Sequence, residues 1–132
     1  MSQRTTITVE VAPGELIDKI TILEIKSDRM SDPQQLRHVR SELDALTEAR
    51  ERAISPSPML AELTGALKQV NETLWQIEDE IRNCERQKDF GPKFVELARS
   101  VYKNNDRRSV IKRSINELLG SPILEEKSHT PY

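Results

Sequence analysis

Leu60, Leu63, Leu67, Val70, Leu74, Ile77, Ile81 and Cys84 recur at alternating spacings of three and four residues without a break. Only a helix brings such positions to one face, and a seam sustained over more than three heptads is built to pack along another helix. The seam spans a helix over about 59–88. It can serve within the chain or between chains, and it places Cys84 in the packing as a small hydrophobe.

The rest of the chain is organised around that helix. Thr5 to Val11 alternates, with Ile7, Val9 and Val11 on one face, and this predicts a short strand over about 5–11. A lone strand leaves backbone donors and acceptors to be paired, by a second copy, the C-terminal tail or water. Pro13 suits the first turn of a helix running from about Gly14 to Met30. Leu16, Ile17, Ile20, Ile22, Leu23 and Ile25 cover more than one of its faces, so it belongs between neighbours. Asp32-Pro33 caps and starts a second helix carrying Leu36, Val39, Leu43 and Leu46. Ile54-Ser55-Pro56-Ser57-Pro58 is a loop long enough to make the second and third helices an antiparallel hairpin. After Asp89-Phe90-Gly91-Pro92 a fourth helix begins with Phe94, Leu97 and Val101. Asn104-Asn105-Asp106 reads as a turn and a new N-cap before a fifth helix, which Gly120 ends. The tail, 121–132, is irregular. The expectation is one mainly α domain over 1–132: an antiparallel helical hairpin or bundle of about five helices with one short N-terminal β-strand.

Composition narrows the function. Of 132 residues, 36% are hydrophobic, 32% charged and 4% aromatic, which allows a thin core with large wet faces. A net charge of −2 argues against a general nucleic-acid binder. One cysteine and two distant histidines, His38 and His129, leave no metal site to expect. Nothing has the basic start and apolar run of a signal peptide or the ~18 apolar residues of a membrane span. The expected location is therefore cytoplasmic. Glycine-rich phosphate loops, nucleophile elbows and zinc-protease motifs are missing, and no cofactor is expected.

Three constellations could carry chemistry. Asn71, Trp75, Glu78 and Arg82 share one helical face beside the seam, with Asp79 next to them. They fit a polar pocket with an aromatic wall, suited to a sugar or nucleotide fragment. The plainer reading is a helix flank with i,i+4 ion pairs and a boundary tryptophan. The segment from Arg99 to Arg113 holds six cations against Asp106 alone, and a helix start near Asn105 would add free N–H groups for an anion. Here Arg99, Tyr102, Asn105, Arg107 and Lys112 are the candidates, and a solvated basic face is the competing reading. Glu15, Asp18, Lys19, Glu24 and Lys26 interrupt the apolar first helix, where buried charges need partners. Finally, Glu125 and Glu126 could dock on the basic segment of this chain or of a partner.

The stretches APGELIDKITILEIKSDRM, VNETLWQIEDEIRNCE, FVELARSVYKNNDRRSVIKRSINELLGS and ILEEKSH resemble the DUF6165 family of uncharacterised bacterial and phage proteins. The resemblance runs from about Val9 to the tail and includes Lys19, Lys26, Asn71, Trp75, Glu78, Asp79, Arg82, Arg99, Tyr102, Asn105, Arg107, Lys112, Asn116, Glu126 and Lys127. It implies a context of surface-polysaccharide assembly, beside glycosyltransferases, and no mechanism. The LIDKI stretch is also similar to the first helix of all-helical chorismate mutases, but lacks the arginine expected at its start.

The expectation is a non-catalytic, self-associating protein, a homodimer, that binds an anionic phosphate- or nucleotide-sugar-like ligand or a glycosyltransferase-type partner. The candidate ligand residues are Asn71, Trp75, Glu78, Arg82, Arg99, Tyr102, Asn105, Arg107 and Lys112. The alternative is a small cofactor-free enzyme on such a substrate, with Glu78 or Asp79 as general acid or base.

Overall fold

The structure, a computed structural model, describes residues 4–132. Four helices follow one another: α1 Pro13–Arg29, α2 Pro33–Ala53, α3 Pro58–Gln87 and α4 Pro92–Leu118. Each opens on a proline in its first turn. There the absent N–H is no loss and the fixed φ favours the helix. Asp32 accepts from the Gln35 N–H at 2.9 Å, and Ser57 from the Leu60 N–H at 3.1 Å, as N-caps do. Lys88, in the left-handed region at φ 57°, ends α3, and the Asp89 N–H returns to the Cys84 carbonyl at 2.9 Å. Gly120, at φ 64°, ends α4 in the same manner, with the Ser121 N–H bonded to the Asn116 carbonyl.

The heptad seam is used within the chain. Leu60, Leu67, Val70, Ile77 and Cys84 are buried, and α3 and α4 form a long antiparallel hairpin. At ~1.5 Å per residue α3 is roughly 45 Å long, well beyond the reach of α1. α1 packs on the open end of that hairpin, where Ile17 joins Leu60, Leu67 and Ile115 in the core. This central place explains its apolar surface: Ile17, Ile20, Leu23 and Ile25 are all at most 3% exposed.

Three expectations are corrected. α2 and α3 are not a packed pair; among the described residues α2 packs on α1 alone of the helices. α2 buries only Val39, so it has one stripe to satisfy and α1 satisfies it. The fourth and fifth helices are one helix. Asn104 donates to the Ser100 carbonyl at 2.8 Å, which keeps an amide side chain satisfied inside the helix instead of breaking it. Residues 5–11 form no strand among the described residues. Alternation supplies a face for a sheet, but a strand exists only with a partner backbone, and the described residues offer none. Ile7 and Val9 remain 83% and 68% exposed.

Candidate functional site

Beside Ile17 and Ile115, the α1–α4 interface carries a row of polar contacts whose order follows from two side-chain stripes. On α4, Arg108, Lys112 and Asn116 lie four residues apart; on α1, Gly14, Glu15 and Asp18 meet them in reverse order. At the top, the Gly14 N–H donates to Asn116 Oδ1 at 2.7 Å. Ala12, the N-cap residue of α1, gives no side-chain bond, so a residue of another helix caps it instead. A Cβ on Gly14 would stand 2.5 Å from the Lys112 carbonyl oxygen, so only glycine permits this approach. One step down, the Lys112 ammonium, buried, donates to Glu15 at 2.7 Å and pairs with Glu125 of the tail at 2.8 Å. Burial pushes its pKa down, but bonds to Glu125 and Glu15 outweigh that and hold it above its ordinary value.

Asp18 is the centre. It is 1% exposed, and its carboxylate receives the Arg108 guanidinium in a fork: Nε donates to Oδ1 at 2.9 Å and Nη2 to Oδ2. Asn71 Nδ2 donates to the same Oδ1 at 2.9 Å and to Thr21 Oγ1, while the Thr21 hydroxyl donates to the Asp18 carbonyl. No buried side-chain polar atom among the described residues is left without a partner. The bond to Asp18 raises Arg108 above its ordinary pKa against the opposing effect of burial.

Arg108 is not wholly consumed. Its side chain is 29% exposed and borders a groove of about 360 Å³ between α1, α3 and α4. Ile22, Ile25 and Leu74 floor the groove; Trp75 walls it; Glu78, Asp79 and Arg82 rim it, exposed. Arg29 lies 6.0 Å from the Trp75 ring centre, at the reach of a cation–π contact. The stripe read from the sequence, Asn71, Trp75, Glu78, Asp79 and Arg82, therefore lines one groove, where it meets the basic segment at Arg108. The plainer reading is also present: Arg82 and Glu78 form an exposed i,i+4 pair at 4.0 Å.

The other candidates stand elsewhere. Arg99 is paired with Glu96 at 2.6 Å on the exposed face of α4. Arg107 is exposed. Tyr102 and Asn105 face the tail, where Tyr132 rests edge-on against Tyr102 with ring centres 5.2 Å apart. No helix begins near Asn105, so the free N–H groups expected there are already bonded within α4. The tail covers this face through charge: Glu126 accepts from Arg113 at 2.9 Å, and Asp106 takes Lys127 at 2.8 Å and the Tyr132 hydroxyl at 2.7 Å. Lys127 and then Tyr132 hold the Asp106 carboxyl below the usual range.

Asn116 stood among the residues of the resemblance without a role, and sequence reasoning did not single out Arg108, Thr21 and Gly14. A signal was available: an acidic stripe on α1 and a basic stripe on α4, in opposite order, match only if the two helices run antiparallel in contact. Among the described residues no group of three or more His, Cys, Asp or Glu is placed to hold a metal ion, and no helix is long and apolar enough to cross a membrane.

A family model described as a family of unknown function, DUF6165, matches residues 7–132. No curated protein and no solved structure matches the chain.

Proposed function

The chain belongs to the DUF6165 family of unknown function, and from its groove we propose that it is a non-catalytic binding protein for a hydroxylated, anionic ligand of the sugar-phosphate or nucleotide-sugar kind. The observation that carries this reading is Arg108: a guanidinium fixed by a buried carboxylate yet open to a groove with a tryptophan wall. A preorganised cation loses little freedom on binding an anion. The indole face suits a ring, and the Glu78 and Asp79 carboxylates are acceptors for ring hydroxyls. Arg82 borders the same space and adds donors for a phosphate.

Binding is favoured over catalysis by exposure. Glu78 and Asp79 stand at an open rim, where water competes for every proton and no wall excludes it. The reading fits the polysaccharide context implied by the sequence resemblance, with a glycosyltransferase-type enzyme as the natural user of such a ligand.

Native mass spectrometry of the gently purified protein tests it. The expected result is a retained added mass in the sugar-phosphate range, absent from a Trp75→Ala variant. Nothing retained, together with no uptake of added UDP-glucose or glucose 1-phosphate, overturns it.

A further inference from the structure

Asn71 is the buried polar side chain that borders the groove, 6% exposed where Glu78, Asp79 and Arg82 stand in water. Its Nδ2 donates to Asp18 Oδ1 and to Thr21 Oγ1, each at 2.9 Å. Only the NH2 end of an amide can meet a carboxylate, so the orientation is fixed and Oδ1 is the end turned away from Asp18. No group among the described residues donates to that Oδ1, yet no buried side-chain polar atom among them lacks a partner. Oδ1 therefore reaches open space, and the groove is the space that Asn71 borders.

The neighbouring donor is Arg108. Its Nε uses the same Asp18 Oδ1 as Asn71 Nδ2, so the amide and the guanidinium stand side by side. Nε and Nη2 are taken up by Asp18, while Nη1 has no partner among the described residues and keeps two N–H bonds to offer. One buried carboxylate thus holds a cation and, next to it, a carbonyl acceptor.

A phosphate satisfies the cation and leaves the acceptor unpaired, because an ionised phosphate oxygen has no proton to give. A ligand that fills both carries a hydrogen-bond donor on the carbon adjacent to the one bearing its phosphate. Sugars phosphorylated at the anomeric carbon have this arrangement: C1 bears the phosphate and C2 a hydroxyl. A 6-phosphate lacks it, since the carbon beside C6 bears the ring oxygen, which cannot donate. Given the sugar-phosphate class proposed above, on which this rests, we infer that the groove selects the anomeric phosphate ester. Arg108 takes the phosphate, Asn71 Oδ1 accepts from the C2 hydroxyl, and Trp75 covers the ring. Asn71 is then the residue that sets specificity, and a nucleotide sugar, phosphorylated at the same carbon, meets the same pair.

Calorimetric titration of the natural chain with glucose 1-phosphate, glucose 6-phosphate and 2-deoxy-2-fluoroglucose 1-phosphate tests this. Fluorine keeps the shape of the hydroxyl and cannot donate. Glucose 1-phosphate should bind about tenfold tighter than either of the others, the effect of one hydrogen bond. Equal affinity for the 1- and 6-phosphates, or for glucose 1-phosphate and its fluoro analogue, overturns the inference and leaves the sugar-phosphate reading standing. No binding of any of the three overturns both. NMR of the same chain locates the contact: the side-chain NH2 signals of Asn71 should move on saturation with glucose 1-phosphate and far less with the fluoro analogue. Signals that stay in place with glucose 1-phosphate overturn the role given to Asn71.

Discussion

Asp18→Asn keeps the shape of the side chain and removes one charge at the centre of the molecule. The amide has one acceptor oxygen where the carboxylate has two. If that oxygen keeps Arg108 Nε and Asn71 Nδ2, the new NH2 faces Arg108 Nη2, donor against donor. Removing one partner of a fully buried ion pair costs about 3–5 kcal/mol. Arg108 is 29% exposed at its side chain and can swing toward water, which discounts the figure to about 2–3 kcal/mol. For a chain of this length that is a fall in Tm of about 8–12 °C. Chemical denaturation of Asp18→Asn, Arg108→Gln and the double variant measures the coupling directly. A coupling near 2 kcal/mol is expected, with the double variant no worse than Asp18→Asn. Single variants that each cost under ~0.5 kcal/mol, or costs that simply add, would refute the idea that the pair organises the α1–α4 interface.

Further outcomes follow from the same contacts. Gly14→Ala forces the start of α1 away from the Lys112 carbonyl and weakens the Asn116 cap, and the ordinary helix benefit of alanine does not make this up; a net loss of about 1.5–3 kcal/mol is expected in urea unfolding. The Asp106 carboxyl is depressed in the folded chain, so its contribution is present above about pH 3.8 and is lost as pH falls through the folded value. NMR should therefore show residues 127–132 leaving α4 in that acid range while α1 and α3 keep their native shifts. Bonding to Asp106 raises Tyr132 above 10.0, so the phenol stays protonated beyond its ordinary range, and ultraviolet titration of a Tyr102→Phe chain should show this shift disappear with Asp106→Asn. Raising salt should release the tail as well, because its docking is carried by exposed ion pairs and one tyrosine contact.

The long periodic segments were legible because periodicity is a property of one helix. The seam from Leu60 to Cys84, the central place of α1 and the Asp32 and Gly120 caps all follow from local chemistry, and the structure bears them out. What failed depended on partners distant in sequence. Asn104-Asn105-Asp106 has turn-forming residues, yet Asn104 bonds back one helical turn and Asp106 is held by Lys127 and Tyr132 from the tail. The alternation over 5–11 is that of a strand, but a strand needs a second backbone. The Pro56–Pro58 loop looked like a hairpin turn, whereas α2 turns back onto α1. The groove residues of α3 were legible as a stripe because they share one helix. Arg108 was hidden among neighbouring cations, since only contact with Asp18 distinguishes it from Arg107.

The central claim, that the groove beside Arg108 receives an anionic, hydroxylated ring, is tested most directly by the emission of Trp75, the single tryptophan of the chain. Titration with glucose 1-phosphate, UDP-glucose and inorganic phosphate should give a saturable change for the sugar-bearing anions. That change should weaken at least tenfold in an Arg108→Lys chain, whose point charge cannot present the planar fork. Emission that stays flat with all three, or the same response in both chains, would contradict the account.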